Sequence, residues 1–139
     1  MDEKNIEFIT IELDIHIGGA YTSEIVDKFK RLIDTGMLDV SKALLCTIRY
    51  VIMNNRVEDG PVNIYFSNGI RVKLNLTAGY TGEGPRDTCE VLRICGFDFN
   101  EDDIFTHNDT VDIKYYKDID SENIYQFENL DGSFEYSYL

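Results

Sequence analysis

The segment PVNIYFSNGIRVKLNLT, residues 61–77, constrains the fold more than any other part of the chain. Two runs in which apolar and polar residues alternate flank Asn68-Gly69, a dipeptide that favours a two-residue type I′ turn between antiparallel strands. In that register, the face predicted to enter the core carries Tyr65, Ile70, Val72, Leu74 and Leu76. The opposite face carries Ile64, Phe66, Arg71, Lys73 and Asn75. The hairpin is therefore predicted to have a core face and a second face with an exposed aromatic ring, two cations and an amide.

Two further elements are predicted before the hairpin. The alternating segment 5–17, which ends at a pair of glycines, is typical of a strand. Residues 22–36 have the apolar spacing of an amphipathic helix. Thr22 or Ser23 is a good N-cap for this helix, and Gly36 is a good C-terminal stop.

Residues 40–54, VSKALLCTIRYVIMN, are ambiguous between helix and strand. Their apolar side chains recur at helical spacing, which favours a second helix, although TIRYVIM alone would also suit a strand. Beyond the hairpin, a short helix is predicted from Pro85 to Gly96, followed by an acidic loop and a strand at about 110–119.

These elements predict an α+β fold in a chain of 139 residues, which is most simply one domain spanning 1–139. We expect an antiparallel β-sheet with a central Asn-Gly hairpin, an inserted helix pair at about 22–54 and a short helix after a glycine-rich loop. An acidic C-terminal extension at about 118–139 contains alternating aromatic residues. We expect these rings to pack either on the body of the protein or on another subunit.

The charge distribution excludes several classes of function. The net charge is −13, and residues 101–139 contribute −9 of it, with 11 acidic residues against two lysines. Such a chain repels DNA and RNA polymers, because binding their backbones requires a matching set of cations. No apolar run is long enough to span a membrane, and the acidic start does not suit a signal peptide, so we expect a cytoplasmic protein.

The three cysteines, Cys46, Cys89 and Cys95, are an odd number without a CxxC pair. We expect them to be buried thiols in a reducing compartment. His107 and Asp109 match no standard metal-binding spacing, and His16 lies in a strand pattern. No metal site and no cofactor are predicted.

The glycine-rich loop at 77–86, TAGYTGEGPR, is the stretch that indicates chemistry. Its glycines allow backbone amides to point to one side just before a helix, where the positive end of the helix dipole favours a phosphate or carboxylate. An arginine in the first turn adds a forked donor for phosphate oxygens, and the tyrosine of the loop offers a ring for stacking on a base. The candidate ligand-binding residues of this loop and helix are Tyr80, Gly82, Gly84, Arg86 and Asp87. Phe66, Arg71 and Asn75 of the hairpin are candidates for further walls of the site, if the loop folds back over their face.

Other interpretations of the loop remain open. Pro85-Arg86 stands where a Walker A motif has Lys-Ser/Thr, and the GxGxxG dinucleotide pattern fails at Asp87. A purely structural loop is therefore as consistent with the residues as an anion site. Glu83 can act as a general base or can accept hydrogen bonds from the loop's own amides. No serine or cysteine lies in a recognisable nucleophile motif, and no catalytic residue is predicted.

The segment AGYTGEGPRDTCEVLRICGF resembles a family of small phage proteins, the first Thoeris anti-defence family. The resemblance lies in a β-hairpin followed by a GYxGEGP-type loop and a short helix that ends in glycine before phenylalanine. It covers about a third of the chain. The predicted helix pair and the aromatic extension do not align with the family pattern.

The resemblance implies a non-catalytic sponge, which is a protein that binds a signal nucleotide and holds it without turnover. Members bind the cyclic ADP-ribose isomer made by bacterial TIR-domain sensors, some relatives hold cyclic oligonucleotides, and they form homo-oligomers with pockets near the subunit contacts. For this chain, the resemblance implies action in the host bacterial cytoplasm. It also implies a pyrophosphate at residues 82–86 and an adenine against Tyr80 or Phe66. Arg49 and Arg56 are candidates, on chemistry alone, to reach in from a neighbouring subunit.

Two alternatives remain beside the sponge. The first is an inhibitor or immunity-type module that uses the acidic surface at 101–139 to block a basic protein partner. The second is an enzyme that acts on a cyclic nucleotide with Glu83 as its base.

Overall fold

The computed structural model describes residues 9–14, 21–51, 62–106 and 110–117, which form an α+β fold. The strands are β1 (Ile9–Leu13), β2 (Ala43–Val51), β3 (Val62–Phe66), β4 (Ile70–Leu74) and β5 (Thr110–Tyr116). The helices are α1 (Ser23–Asp34), α2 (Glu83–Cys95) and α3 (Glu101–Phe105), and a 3₁₀ turn at Val40–Lys42 precedes β2. The five strands form one sheet in the order β1-β4-β3-β2-β5. The β1–β4 pair is parallel and the other pairs are antiparallel, so the expected antiparallel sheet is mixed at one edge.

One face of the sheet, called the front face here, is apolar across all five strands. Residues paired between strands share a face, which makes whole rows visible in the register. One row consists of Ile11, Val72, Ile64, Cys46 and Tyr115, and the next consists of Leu13, Leu74, Val62, Ile48 and Ile113. The buried side chains of α1 and α3, and most of those of α2, join these rows in a single hydrophobic cluster. The described helices therefore pack on the front face.

The opposite face of the sheet, called the second face here, is mostly polar. One of its rows consists of Thr10, Arg71, Tyr65, Leu45 and Tyr116, and the next consists of Glu12, Lys73, Asn63, Thr47 and Lys114. The residues of its central strands are nevertheless buried: Leu45 is 0 % exposed, Tyr65 is 1 % exposed and Arg71 is 2 % exposed. Leu45 and Tyr65 do not belong to the hydrophobic cluster of the front face.

Both long helices end as their sequences predict. Thr22 occupies the N-cap position of α1, and a glycine with positive φ follows the helix at Gly36 (φ 85°). Helix α2 contains Pro85 in its first turn and ends at Gly96, whose φ of 82° is the left-handed conformation that terminates helices. The backbone amide of Gly96 donates to the carbonyl of Arg93.

The prediction of a second helix within 22–54 is wrong, because residues 43–51 form β2. This strand lies in the middle of the sheet between β3 and β5, and both of its faces are covered. Leu45 is buried on the second face, while Cys46 and Ile48 are buried on the front face. Burial on both faces produces a nearly continuous apolar run, and helical spacing can be read into such a run by chance.

The predicted register of the hairpin is also wrong by one residue. Tyr65 pairs with Arg71, so the strands are joined by a three-residue loop at 67–69 that includes Asn68 and Gly69. Gly69 has a φ of 89°, and the three-residue loop with a left-handed last position is a common alternative to the two-residue turn. The slip moves Tyr65 to the second face and Phe66 to the front face, where Phe66 is 1 % exposed.

Several predictions fall outside the described residues. These are the outer parts of the first strand, His16, Arg56, the segment 107–109 and the extension 118–139. Within the described parts of the chain, no helix is both long and apolar enough to cross a membrane. The predicted strand at 110–119 is confirmed for residues 110–116, which form β5, and the acidic segment before it contains the five-residue helix α3.

Candidate functional site at the start of the second helix

The glycine-rich loop between β4 and α2 is held in place by hydrogen bonds to two helices and by one hydrogen bond within the loop. The backbone amide of Gly79 donates to the carbonyl of Ile104 in α3 over 2.8 Å. The hydroxyl of Thr88, in α2, donates to the carbonyl of Thr77 over 2.7 Å. The hydroxyls of Thr77 and Tyr80 lie 2.7 Å apart and form a further hydrogen bond. The loop is therefore fixed before any ligand arrives.

Two of the loop's glycines are required by space and not by backbone conformation. A Cβ on Gly84 would lie 2.0 Å from Oγ1 of Thr77 and 3.0 Å from the Tyr80 hydroxyl. A Cβ on Gly82 would lie 2.8 Å from Cε2 of Tyr80, although the φ of Gly82, 178°, suits any residue. Tyr80 is half-buried and lies against the loop, so its ring forms a wall of the site.

The first amides of α2 are available as hydrogen-bond donors. The first intrahelical bond runs from the amide of Arg86 to the carbonyl of Gly82 over 3.1 Å. Within the described residues, the amides of Gly82, Glu83 and Gly84 donate to no protein acceptor, and Pro85 has no amide proton. Gly84 is buried, whereas Gly82 and Glu83 are half-buried. An anion can therefore reach the amides of residues 82 and 83 at the positive end of the helix dipole.

Arg86 is the cation of this helix start. Its side chain is exposed and makes no ion pair within the described parts of the chain. Lys28, by contrast, is engaged: its Nζ lies 3.3 Å from a carboxylate oxygen of Glu24 and donates to the carbonyl of Asp14 over 2.8 Å. Arg86 is therefore free to turn toward a bound anion.

The ends of four elements meet near this site. Asn75, just after β4, donates through its side-chain amide to a carboxylate oxygen of Asp14, just after β1, over 2.8 Å. Thr22, at the start of α1, donates through its hydroxyl to Asp87 in α2. The carboxyl ends of two parallel strands and the amino ends of two helices thus lie at one end of the sheet. In open α/β sheets, ligands commonly bind in such a position.

The electrostatics of this end are mixed. Asp14, Glu24, Glu83 and Asp87 are carboxylates at the same end of the molecule, and one of them, Glu24, is paired with Lys28. The Asp87 carboxylate accepts a hydrogen bond from the Thr22 hydroxyl, and this bond stabilises part of its negative charge. Glu83 accepts no hydrogen bond from the loop's amides among the described residues. A small anion at the amides of residues 82 and 83 would rely on directed donors and Arg86, since the surroundings as a whole are not basic.

The remaining candidate residues do not join this group. Phe66 is in the core under the front face, so its ring cannot form a wall of the site. Arg71 and Arg49 project from the second face, whereas the loop runs toward the front face through the buried residues Leu76 and Ala78. Arg49 lies 3.7 Å from Asp112 on the adjacent strand. The loop therefore does not fold back over the face of Arg71, which was the condition for Arg71 to line the site. The one-residue slip of the hairpin accounts for Phe66, which it moves to the front face.

The cysteine thiols are unsuited to nucleophilic chemistry at neutral pH. All three are free and buried. Burial raises the pKa of Cys89 to about 11 and the pKa of Cys95 to about 12. Burial, with the nearby Cys95 adding to it, also raises the pKa of Cys46 well above its ordinary value. The thiolate is the reactive form, so these side chains act as small apolar groups.

Sequence reasoning missed the threonines that support the loop. Thr77 and Thr88 fix the start of α2, and Thr22 ties α1 to it. Thr22 was identifiable as an N-cap, but nothing in the sequence indicates that its hydroxyl bonds to Asp87 and makes no capping bond in its own helix.

Comparisons with protein-family profiles, curated proteins and solved structures give no match.

Proposed function

We propose that the protein is a non-catalytic sponge that binds a cyclic ADP-ribose isomer and keeps it from its receptor. The pyrophosphate of this ligand would be bound at the start of α2, and the base of the ligand would lie against Tyr80. The resemblance to the first Thoeris anti-defence family supplies the chemical class of the ligand. In this proposal the protein acts in the host bacterial cytoplasm as a homo-oligomer.

The observation that carries this proposal is the set of donors at the start of α2. A loop held by three hydrogen bonds presents the amides of Gly82 and Glu83 within one helical turn of Arg86, whose side chain is exposed. A preformed donor set loses little conformational entropy on binding, which favours the tight affinity that a stoichiometric binder needs. To compete with a receptor, the Kd must be in the nanomolar range, about −12 kcal/mol.

The acidity of the chain does not oppose this function. A small dianion needs only a local group of donors, whereas a nucleic acid polymer needs a whole basic face. The carboxylates near the site narrow the choice of ligand, because they repel anions that do not engage the amides directly. A ligand that carries two linked phosphates and a base would fit the amides, the arginine and the tyrosine wall together.

The first test is the fate of the ligand. Purified protein is incubated with cyclic ADP-ribose isomers, freed of unbound ligand and heat-denatured, and the released material is analysed by mass spectrometry. Release of the intact cyclic nucleotide supports a sponge. Linear products would identify an enzyme, with Glu83 as the candidate base. Absence of any bound nucleotide would overturn the proposal.

The second test locates the site. Arg86→Ala is expected to weaken binding of the same isomer by about 30-fold, or about 2 kcal/mol, because a charge-assisted hydrogen bond to phosphate is lost. Arg31→Ala is the matched control, since Arg31 is an exposed arginine in the last turn of α1. Isothermal titration calorimetry measures the affinity of both variants for the isomer. Equal affinity of the Arg86 variant and the control would show that the ligand binds elsewhere.

A second candidate function is the blocking of a basic protein partner. The observation that favours it is an open groove of about 370 Å³ between α3 and β5, whose lining includes Asp102, Asp103 and Asp112. All three carboxylates are exposed. If no nucleotide is released in the first test, this groove becomes the best candidate interaction surface.

A further inference from the structure

The second face of the sheet is buried although none of the described helices packs on it. Asn63, Thr47 and Leu45 are at most 4 % exposed, and they lie on β2 and β3, two of the three interior strands. Apart from Pro85 and Thr88, the buried side chains of the described helices belong to the hydrophobic cluster of the front face. Something outside the described residues must therefore cover the second face.

The segment that packs on the second face must complement both the cations and the apolar side chains of that face. Arg49, Arg71, Lys73 and Lys114 lie on it, against the acidic residues Glu12 and Asp112. Arg71 is 2 % exposed, and arginines are almost never buried to this extent unless they are paired with an acceptor. Tyr65 and Leu45, beside it, offer apolar surface for rings to pack on. The matching partner therefore carries carboxylates and aromatic rings together.

We propose that the C-terminal segment 118–139 of the same chain packs on the second face. It contains six acidic residues and no basic residue. It also contains five aromatic residues: Tyr125, Phe127, Phe134, Tyr136 and Tyr138. Its composition thus matches the cations of the face with carboxylates and the apolar surface with rings.

The length and starting point of this segment suit the same role. The segment begins directly after Lys117, at the end of the edge strand β5. Its 22 residues reach about 70 Å when extended, whereas five strands spaced about 4.8 Å apart are about 20 Å across. The other segments outside the described residues are shorter, and the two longer ones, 1–8 and 52–61, each include a basic residue. Segment 118–139 can therefore cross the whole face, and it is the segment whose charge is complementary throughout.

Zero-length carbodiimide cross-linking of the full chain tests this placement. The reagent joins a lysine amine to a carboxylate that touches it, and peptide mass spectrometry identifies the pair. Lys73 and Lys114 lie on the second face, and both are expected to link to carboxylates of 118–139. The ion pair between Lys30 and Glu90 on the helical side, at 3.3 Å, is the internal control, since its cross-link is expected regardless of what covers the second face.

The same experiment identifies the occupant if isotopically light and heavy proteins are mixed in equal amounts. Links between Lys73 or Lys114 and 118–139 that join only peptides of the same isotope support the proposal. Links of mixed isotope would show that the segment of a second copy covers the face, which overturns it. The Lys30–Glu90 link without any link to 118–139, or links from these lysines only to 1–8 or 52–61, would also overturn it.

Discussion

At the scale of single residues, two glycines set the geometry of the candidate site by leaving space for other side chains. The threonine at 77 and the tyrosine at 80 occupy the volume that side chains at Gly82 and Gly84 would need. The same two polar side chains bond to each other, so the wall of the site and the start of α2 are built from one cluster. The absence of side chains at these two glycines thus leaves the space that the Tyr80 side chain occupies.

Gly84→Ala is expected to destabilise the fold by about 1–3 kcal/mol, because the new Cβ would overlap Oγ1 of Thr77. The gain in helix propensity, about 1 kcal/mol, offsets only part of this loss. In the double variant Thr77→Ala/Gly84→Ala the closest overlap, with Oγ1 of Thr77, is removed, so its loss should be smaller than the sum of the two single losses. Urea unfolding of the wild type, the two single variants and the double variant measures these losses in the free energy of unfolding. Strict additivity would contradict the proposed overlap.

At the scale of elements, the end of α2 is stabilised by a side chain from the end of the sheet. The ammonium group of Lys117 donates to the carbonyls of Cys95, in the last turn of α2, and of Val40. It also lies 5.6 Å from the centre of the Phe97 ring. A cation at the carboxyl end of a helix interacts favourably with the helix dipole. One lysine therefore connects the last turn of α2, the turn before β2 and the end of β5.

Lys117→Met should lower the free energy of unfolding by about 1–2 kcal/mol, since two carbonyls lose a charged donor in a partly buried position. Lys30→Met is the control, because its ion pair with Glu90 is about half exposed and such pairs contribute within about 0.5 kcal/mol. Urea denaturation of both variants gives the comparison. A loss at Lys117 no larger than at Lys30 would contradict the bridging role.

Helices whose start and end are marked by residues in their own sequence could be predicted. A strand whose conformation depends on pairing with distant strands could not. The helices α1 and α2 have caps and stops in their own sequence, and both predictions are confirmed. Strand β2 owes its conformation to pairing with β3 and β5, which a local apolar period does not reveal. The start of α2 could be found from its glycines. The removal of Phe66 from that site could not, because a single residue in the turn decides which face of the hairpin Phe66 occupies.

At the scale of the whole molecule, the five-stranded sheet separates two environments. The front face is apolar and carries the helices together with three buried thiols, and the second face carries cations and amides. Each thiol lies where its ionised form would be poorly solvated. The stability of the protein should therefore depend on alkaline pH through groups that take no part in binding.

Unfolding should become easier as the pH rises from about 8 to about 10. The native thiols of Cys89 and Cys95 have raised pKa values of about 11 and about 12, so they keep their protons while the unfolded chain loses them. Their contribution to stability is complete below the ordinary thiol pKa and is lost as the pH rises toward the native values, at about 1 kcal/mol per thiol per pH unit. Urea unfolding across this range measures it. A Cys89→Ala/Cys95→Ala variant should show a shallower decline, and an unchanged slope would contradict the assignment.

The parallel pairing of β1 with β4 has a consequence for the order in which the chain assembles. Ile9 pairs with Ile70, so nearly half of the chain lies in the loop that this contact closes, whereas β3 and β4 are joined by three residues. Closing a long loop costs entropy before any contact compensates for it, and non-local strands therefore form slowly. The β3–β4 hairpin can form early by itself. Of the described strands, β1 is synthesised before its partner β4, and we therefore expect it to join the sheet late in folding.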